Sequence, residues 1–236
     1  RVNAKLQILT GKMFGVVAVI MLAIVAKGTE AFRTYNTGRG MVYRLGVTQD
    51  TTLEGSTQHN RLPYLMVSKH PQFPNKRSLV QFENLPNACG PSQIISAKMY
   101  LYYVYAHKAS WHTIQRTPFI PRFMQVHLVK KSWNAAQATS TKRDSTHWWS
   151  STYLGLDNTD AEAKPQAETV TIFPYRPRGY VEFDITRAMR QWRSGVPNYG
   201  LLIRATNELE NGRGIRFASS DMSDTSRRPY ALVLCA

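Results

Sequence analysis

The chain is poor in cysteine, in acidic residues and in long apolar runs, and each shortage excludes something. Cys89 and Cys235 are its only thiols among 236 residues, so neither a zinc cluster of cysteines nor a thiol nucleophile with a spare partner can be built. Asp and Glu together number 15 against 30 Lys and Arg, which leaves little material for the paired carboxylates of a glycosidase. No apolar stretch reaches the roughly 20 residues that a membrane-spanning helix needs. The longest is Phe14 to Ala26, thirteen residues bracketed by Lys12 and Lys27 and followed by the small-x-small pattern Thr29-Glu30-Ala31. That length with basic flanks reads as the apolar core of a secretory signal. No Asn-x-Ser/Thr sequon is present, so N-glycosylation is not expected.

Residues 1–31 are therefore assigned to a signal region and left out of fold reasoning. Residues 1–12, which precede Met13, read either as translated sequence upstream of the start or as part of a fragment. The remaining residues 32–236 suffice for one β-domain. Without Arg1, Lys5, Lys12, Lys27 and Glu30, 26 basic residues face 14 acidic ones, a net charge of +12. Outside the cell that excess points to acidic polysaccharide or acidic matrix macromolecules rather than to nucleic acid. An evenly basic surface with no particular ligand is the bland alternative. In an oxidising compartment two cysteines imply one disulfide, Cys89–Cys235.

Short alternating strands dominate the rest of the chain. Ser78–Phe82, Ala97–Ala106, Phe123–Lys130, Thr169–Phe173, Gly179–Phe183, Tyr199–Arg204, Ile215–Ala218 and Tyr230–Cys235 are candidates, separated by Gly, Pro, Asn and Asp. Ala97–Ala106 carries Met99, Leu101, Tyr103 and Tyr105 on one face and Tyr100, Tyr102 and Val104 on the other. A strand apolar on both faces is central in a sandwich or offers one face to a ligand. Phe123–Lys130 turns Met124, Val126 and Leu128 inward and Gln125 and His127 outward. One helix is predicted after Asp184, with Ile185, Ala188, Met189 and Trp192 on its apolar face and Arg187, Arg190 and Arg193 opposite; Gly195 and Pro197 end it. Thr139–Pro165 reads as the longest loop, and 32–75 as two or three edge strands.

Five segments in order resemble a known family. RSLVQFENLP (Arg77–Pro86), IISAKMYLYY (Ile94–Tyr103), VHLVKKSWN (Val126–Asn134), YVEFDITRAMRQWRSGVPNYGLLI (Tyr180–Ile203), and FASSD with RRPYALVL between Phe217 and Leu234 are similar to the strands of DNRLRE-type domains. These are secreted jelly-rolls related to alginate-binding carbohydrate-binding modules. The chain departs from that pattern after Trp133, where Asn134-Ala135-Ala136 replaces the usual acidic residue and Ala138-Thr139-Ser140 the usual Thr–Trp. The resemblance implies an all-β jelly-roll β-sandwich with one short helix, a binding module without catalysis, and core roles for Trp133 and Trp192. It also implies a structural role for Arg227 and Arg228.

Candidate sites follow from chemistry. Sugar-binding sandwiches stack an aromatic ring on the pyranose. Outside the strands Trp111, Trp148, Trp149 and Tyr153 are available, and Lys142, Arg143 and His147 stand beside the tryptophan pair to engage carboxylate or sulfate. Arg187, Arg190 and Arg193, with Arg176, Arg178, Lys130 and Lys131, form a second candidate, a basic groove for any polyanion. Either one of the Trp pair caps a core, or both serve the ligand. Glu182 and Asp184 share a strand face, His107, His112 and His127 stand among many Tyr and Arg, and Asp157–Glu162 alternates oxygen ligands. Helix capping, coincidence and a polar loop are the simpler accounts. No cofactor, no metal and no membrane span after signal cleavage are expected. Three functions remain open: a secreted matrix protein binding acidic polysaccharide, possessed of a context such as a mineralised skeleton or shell; a lyase or hydrolase acting on acidic glycans; and an adhesion module with no glycan ligand.

Overall fold

A computed structural model of the chain describes residues 33–38, 40–69, 75–106, 121–173, 176–207 and 214–236. Residues 1–31, read above as a signal region, and Trp111, His107 and His112 lie outside the described residues. The strands are β1 (Arg33–Asn36), β2 (Met41–Leu45), β3 (Val47–Leu53), β4 (Tyr64–Val67), β5 (Arg77–Phe82), β6 (Ile94–Ala106) and β7 (Arg122–Leu128). They continue with β8 (Val170–Ile172), β9 (Gly179–Asp184), β10 (Leu201–Ala205), β11 (Ile215–Ala218) and β12 (Tyr230–Cys235). The helix α1 (Thr186–Arg193) lies between β9 and β10.

Two antiparallel sheets form. One has seven strands, with β1-β2-β12-β6-β11-β4 in line and β9 also on β6; the other has five, β3-β5-β10-β7-β8. The pairing is nested. Of β2, β5, β6, β7, β8, β9, β10 and β12, the first pairs with the eighth, the second with the seventh, the third with the sixth and the fourth with the fifth. A long hairpin rolled on itself in this way is the jelly-roll order. The chain is thus an all-β sandwich with one short helix among the described residues.

Alternation builds the core. Ala97, Met99, Leu101 and Tyr103 of β6 and Ala231, Val233 and Cys235 of β12 point between the sheets. They meet Val80, Phe82, Met124, Val126, Leu128, Leu201 and Ile203 from the facing sheet. Phe183 and Phe217 meet edge to face at 6.2 Å between ring centres. Helix α1 closes one end with Ile185, Ala188 and Met189, which are buried, and Trp192, which is half-buried against the same core. Asp184 Oδ1 accepts the Thr186 N–H at 2.8 Å, but the cap position expected for Asp184 is taken by Ile185, one residue later. Cys89 and Cys235 form the disulfide, joining the end of β12 to a turn 146 residues earlier.

Two sequence expectations need correction. Residues 33–67 hold four strands, and β2 is interior, paired with β1 on one side and β12 on the other. The segment between β7 and β8 is more than a polar loop: it folds over the outer face of the five-stranded sheet and makes a second core. Trp133, Ala138, Trp149, Leu154 and Ala161 from this segment pack on Leu53, Leu79 and Leu202 of the sheet. His127, expected to face solvent, is covered by this layer and only 1% exposed. Strand periodicity gives the face a side chain takes but not what later covers it.

Candidate functional site: a clamped hairpin with an exposed indole

Residues 139–149 return on themselves as a short hairpin. Lys142 bridges to Trp148, Arg143 N–H donates to His147 O at 3.1 Å and Trp149 N–H to Thr141 O at 2.9 Å. At the tip Asp144 accepts from the Thr146 and His147 N–H groups at 2.9 and 2.8 Å and lies against His147 Nδ1 at 2.9 Å. Partial desolvation works against its ionisation, yet these donors and the Thr146 hydroxyl hold its carboxyl well below the usual carboxylate range. An anionic Asx-type turn therefore fixes the tip.

The base is anchored more strongly. Trp149 is 5% exposed and its Nε1 donates to Thr139 O at 3.1 Å. Trp133 Nε1 donates to Tyr199 O at 2.7 Å. Asp160, also buried, spends Oδ2 on Ser150 N–H, Ser150 Oγ and Gly155 N–H at 2.7, 2.7 and 2.9 Å. Elsewhere in the acidic run Asp157–Glu162, Asp157 accepts the Thr159 N–H at 3.0 Å and Glu162 pairs with Arg187. Tyr153 is half-buried on this second core, with a left-handed φ of 65° shared by Leu154 at 71°. The carbonyls of both accept from Arg77 Nη1 at 2.8 and 2.9 Å, which holds two strained residues in place.

Of the tryptophan pair only Trp148 presents a ring to solvent, at 63% exposure. Lys142 Nζ stands 4.8 Å from its ring centre, a cation–π contact. Arg143 is drawn back, donating to Ser132 O and Oγ at 2.9 and 3.1 Å. Trp149 is thus corrected from ligand contact to anchor: the alternating direction of adjacent hairpin side chains sends one indole in and the other out. The arrangement is a preset aromatic surface with an ammonium beside it.

The arginines of α1 are not a free comb of cations. Arg187 pairs with Glu162 and donates to Pro165 O at 3.2 Å. Arg190 reaches Ile94 O through Nη2 at 2.7 Å, and Arg193 reaches Cys89 O through Nε at 2.8 Å. Arg187 ties the helix to the segment between β7 and β8, Arg190 to β6, and Arg193 to the turn that carries the disulfide. Arg187 and Arg190 also border an open groove of about 1150 Å³ with Ile95, Glu168, Thr169 and Val196. Elsewhere Lys130 Nζ donates to Asn158 O and Arg176 to Tyr180 O, at 2.6 and 2.7 Å. Lys131 and Arg178 are exposed.

A further aromatic array sits within the strands, on the outer face of the seven-stranded sheet. Tyr230 and Tyr100 stack at 4.9 Å, and Tyr180 meets both edge-on. Arg44 lies 4.3 Å over Tyr230, and Arg227 5.2 Å over Tyr102. The alternation in β6 exposes this array in the sequence, but its ring faces are taken by one another and by guanidinium groups. Arg227 also pairs with Asp224, and Arg228 Nε donates to Met222 O at 2.9 Å; both hold the turn into β12. Exposed Glu182 pairs with Lys98 at 2.6 Å, and Asp184 accepts the Thr186 N–H ahead of α1. Among the described residues no cluster of three or more His, Cys, Asp or Glu side chains could hold a metal, and no helix is long and apolar enough to cross a membrane. Neither a protein-family model nor a curated protein matches this chain.

Proposed function

We propose that the protein is a secreted, non-catalytic matrix protein that binds acidic polysaccharide or a comparable polyanion, with Trp148 and Lys142 as the recognition surface. The observation that carries this reading is an indole 63% exposed beside an ammonium, on a hairpin whose other end is buried. A large apolar ring held out in water at a rigid position has no folding benefit, whereas a pyranose face can stack on it while Lys142 meets a carboxylate or sulfate. The rigidity of the base keeps the entropy of binding low. The net charge of +12 after residue 31 supplies attraction at longer range. The resemblance to DNRLRE-type domains supports the same reading, as does the nested strand order, and a setting such as a mineralised skeleton or shell matrix fits a basic protein of this kind.

The test is retention on immobilised alginate and heparin and on an acidic-glycan array, across a salt series. Trp148→Ala should weaken binding to the preferred glycan about fivefold, the equivalent of roughly 1 kcal/mol for one stacked ring. Binding of the parent protein should fall steeply with salt, as counterion release requires. Absence of retention at low salt, or an unchanged affinity in Trp148→Ala, refutes the assignment. Unsaturated or reducing ends released from any of these glycans would show an enzyme instead.

A further inference from the structure

The outer face of the five-stranded sheet contains an arrangement that the hairpin does not use. Leu202 of β10 pairs with Leu79 of β5 and with His127 of β7. Continuing that antiparallel register by two residues sets Arg204 directly across from Arg77. Two like charges opposite one another on a sheet destabilise it, the more so when half-buried. Burial first, then the field of Arg204, lowers Arg77 to about 10, and burial lowers Arg204. Among the described residues neither forms an ion pair. Arg77 is committed to the Tyr153 and Leu154 carbonyls through Nη1, and Arg204 makes only a long contact from Nε to Ala205 O at 3.4 Å.

His127 stands diagonally from this pair and is 1% exposed. Its Nδ1 faces Glu162 O at 2.9 Å, so that nitrogen carries the proton and donates. Nε2 is buried with no partner. A buried polar atom left without a partner is uncommon and calls for an explanation. The charged groups facing the imidazole are Arg204, Arg77 and Glu162. The Glu162 carboxylate is already held by Arg187, Gln166 and Gln191. Among the described residues the locale therefore holds two guanidinium groups and one idle imidazole nitrogen, and the one carboxylate facing the imidazole, Glu162, is already engaged.

We propose that Arg77, Arg204 and His127 form an oxyanion site that receives a sulfate group, either free or as a sulfate ester on a glycan. The planar fork of Arg204 suits tetrahedral oxygens, which it can meet with two parallel N–H donors. A bound dianion would also relieve the repulsion between the cross-strand arginines. It would draw a proton onto Nε2, giving the imidazole its missing hydrogen bond. Anion affinity is therefore linked to protonation of His127 and rises as the pH falls. This site is separate from the Trp148 surface and does not depend on it.

The experiment is thermal unfolding in sodium sulfate against sodium chloride of matched ionic strength, combined with NMR titration of the His127 ring between pH 3 and 7. The parent protein should show a saturable rise in Tm specific to sulfate, about 3 °C at a tenfold excess over Kd. His127 should titrate near pH 4 without sulfate and at least one unit higher with it. Arg204→Gln should lose both effects, while Trp148→Ala keeps both. A sulfated disaccharide that reproduces the His127 shift at lower concentration than inorganic sulfate identifies the ester as the ligand; the reverse order identifies the free ion. Equal responses to sulfate and chloride, or a His127 titration unmoved by sulfate in the parent protein, overturns the proposal. The NMR result needs no variant, so a folding defect in Arg204→Gln leaves the test intact.

Discussion

Removing the indole of Trp149 would open a cavity lined by the second core and orphan the Thr139 carbonyl that its Nε1 serves. A buried Trp→Ala change of that kind costs about 3–5 kcal/mol, whereas Trp148→Ala removes a ring that is mostly in water and should leave stability within about 0.5 kcal/mol. Urea unfolding of the two variants reads this difference directly; equal losses would mean that Trp148 also packs. Asp50 offers a second residue-level test. It is 3% exposed on β3 and accepts from Ser220 N–H and Oγ at 2.7 and 3.1 Å. Burial raises it from 3.8 to about 6, with Asp221 adding to the rise and the Ser220 donors opposing it. Because the folded value lies above the unfolded one, the stabilisation is complete below about pH 4 and is lost as the pH climbs through 6. At about 1.4 kcal/mol per pK unit the loss is of the order of 3 kcal/mol. Unfolding free energy measured from pH 4 to 7 should fall accordingly, and Asp50→Asn should flatten that fall.

Helix α1 is held to the sandwich by the same arginines that sequence periodicity marks as its solvent face. Arg190→Gln and Arg193→Gln each remove a charged donor from a main-chain carbonyl, Ile94 O and Cys89 O, and should each lower stability by about 1 kcal/mol. Exposed Lys131 and Arg178 changed to Gln should weaken polyanion retention with no such loss. If the helix variants lose retention at unchanged stability, the arginines serve a ligand after all. The apolar side of this element was readable in the sequence because Ile185, Ala188 and Met189 follow the helical period and all are buried. The strands β11 and β12 were readable to the residue from their alternation. The segment 129–169 was not, because its order comes from long-range packing. Asp160 reaches back to Ser150, Trp133 reaches Tyr199, and Arg77 on β5 reaches the Tyr153 carbonyl. None of these leaves a period in the chain. The strand read at Tyr199–Arg204 begins instead at Leu201, because Gly200 has φ of +80° and lies so close to β5 that a Cβ there would lie 2.4 Å from Val80 O.

The whole sandwich converges on β12, the last strand, which lies between β2 and β6 in the larger sheet. Loss of β12 from this interior position would separate β1 and β2 from the rest of that sheet. Three features oppose this. Ala236 N–H donates to Gln93 O at 2.8 Å. Gly40 approaches so closely that a Cβ on it would meet Cys235 O at 1.9 Å. Cys235, buried and disulfide-bonded to Cys89, ties the end to a turn that Arg193 also grips. Closing a loop of 146 residues restricts the unfolded chain by about 4–5 kcal/mol on the chain-entropy account. The double change Cys89→Ala with Cys235→Ala should therefore lower Tm by about 10 °C or more for a domain of this size. Hydrogen exchange should show the loss first in the amides of β12 and its partner β2, with β7 and β10 of the other sheet protected for longer. A Tm within a degree or two of the parent would mean that strand pairing alone secures β12. Uniform loss of protection in both sheets would mean that the bond acts only on the unfolded chain.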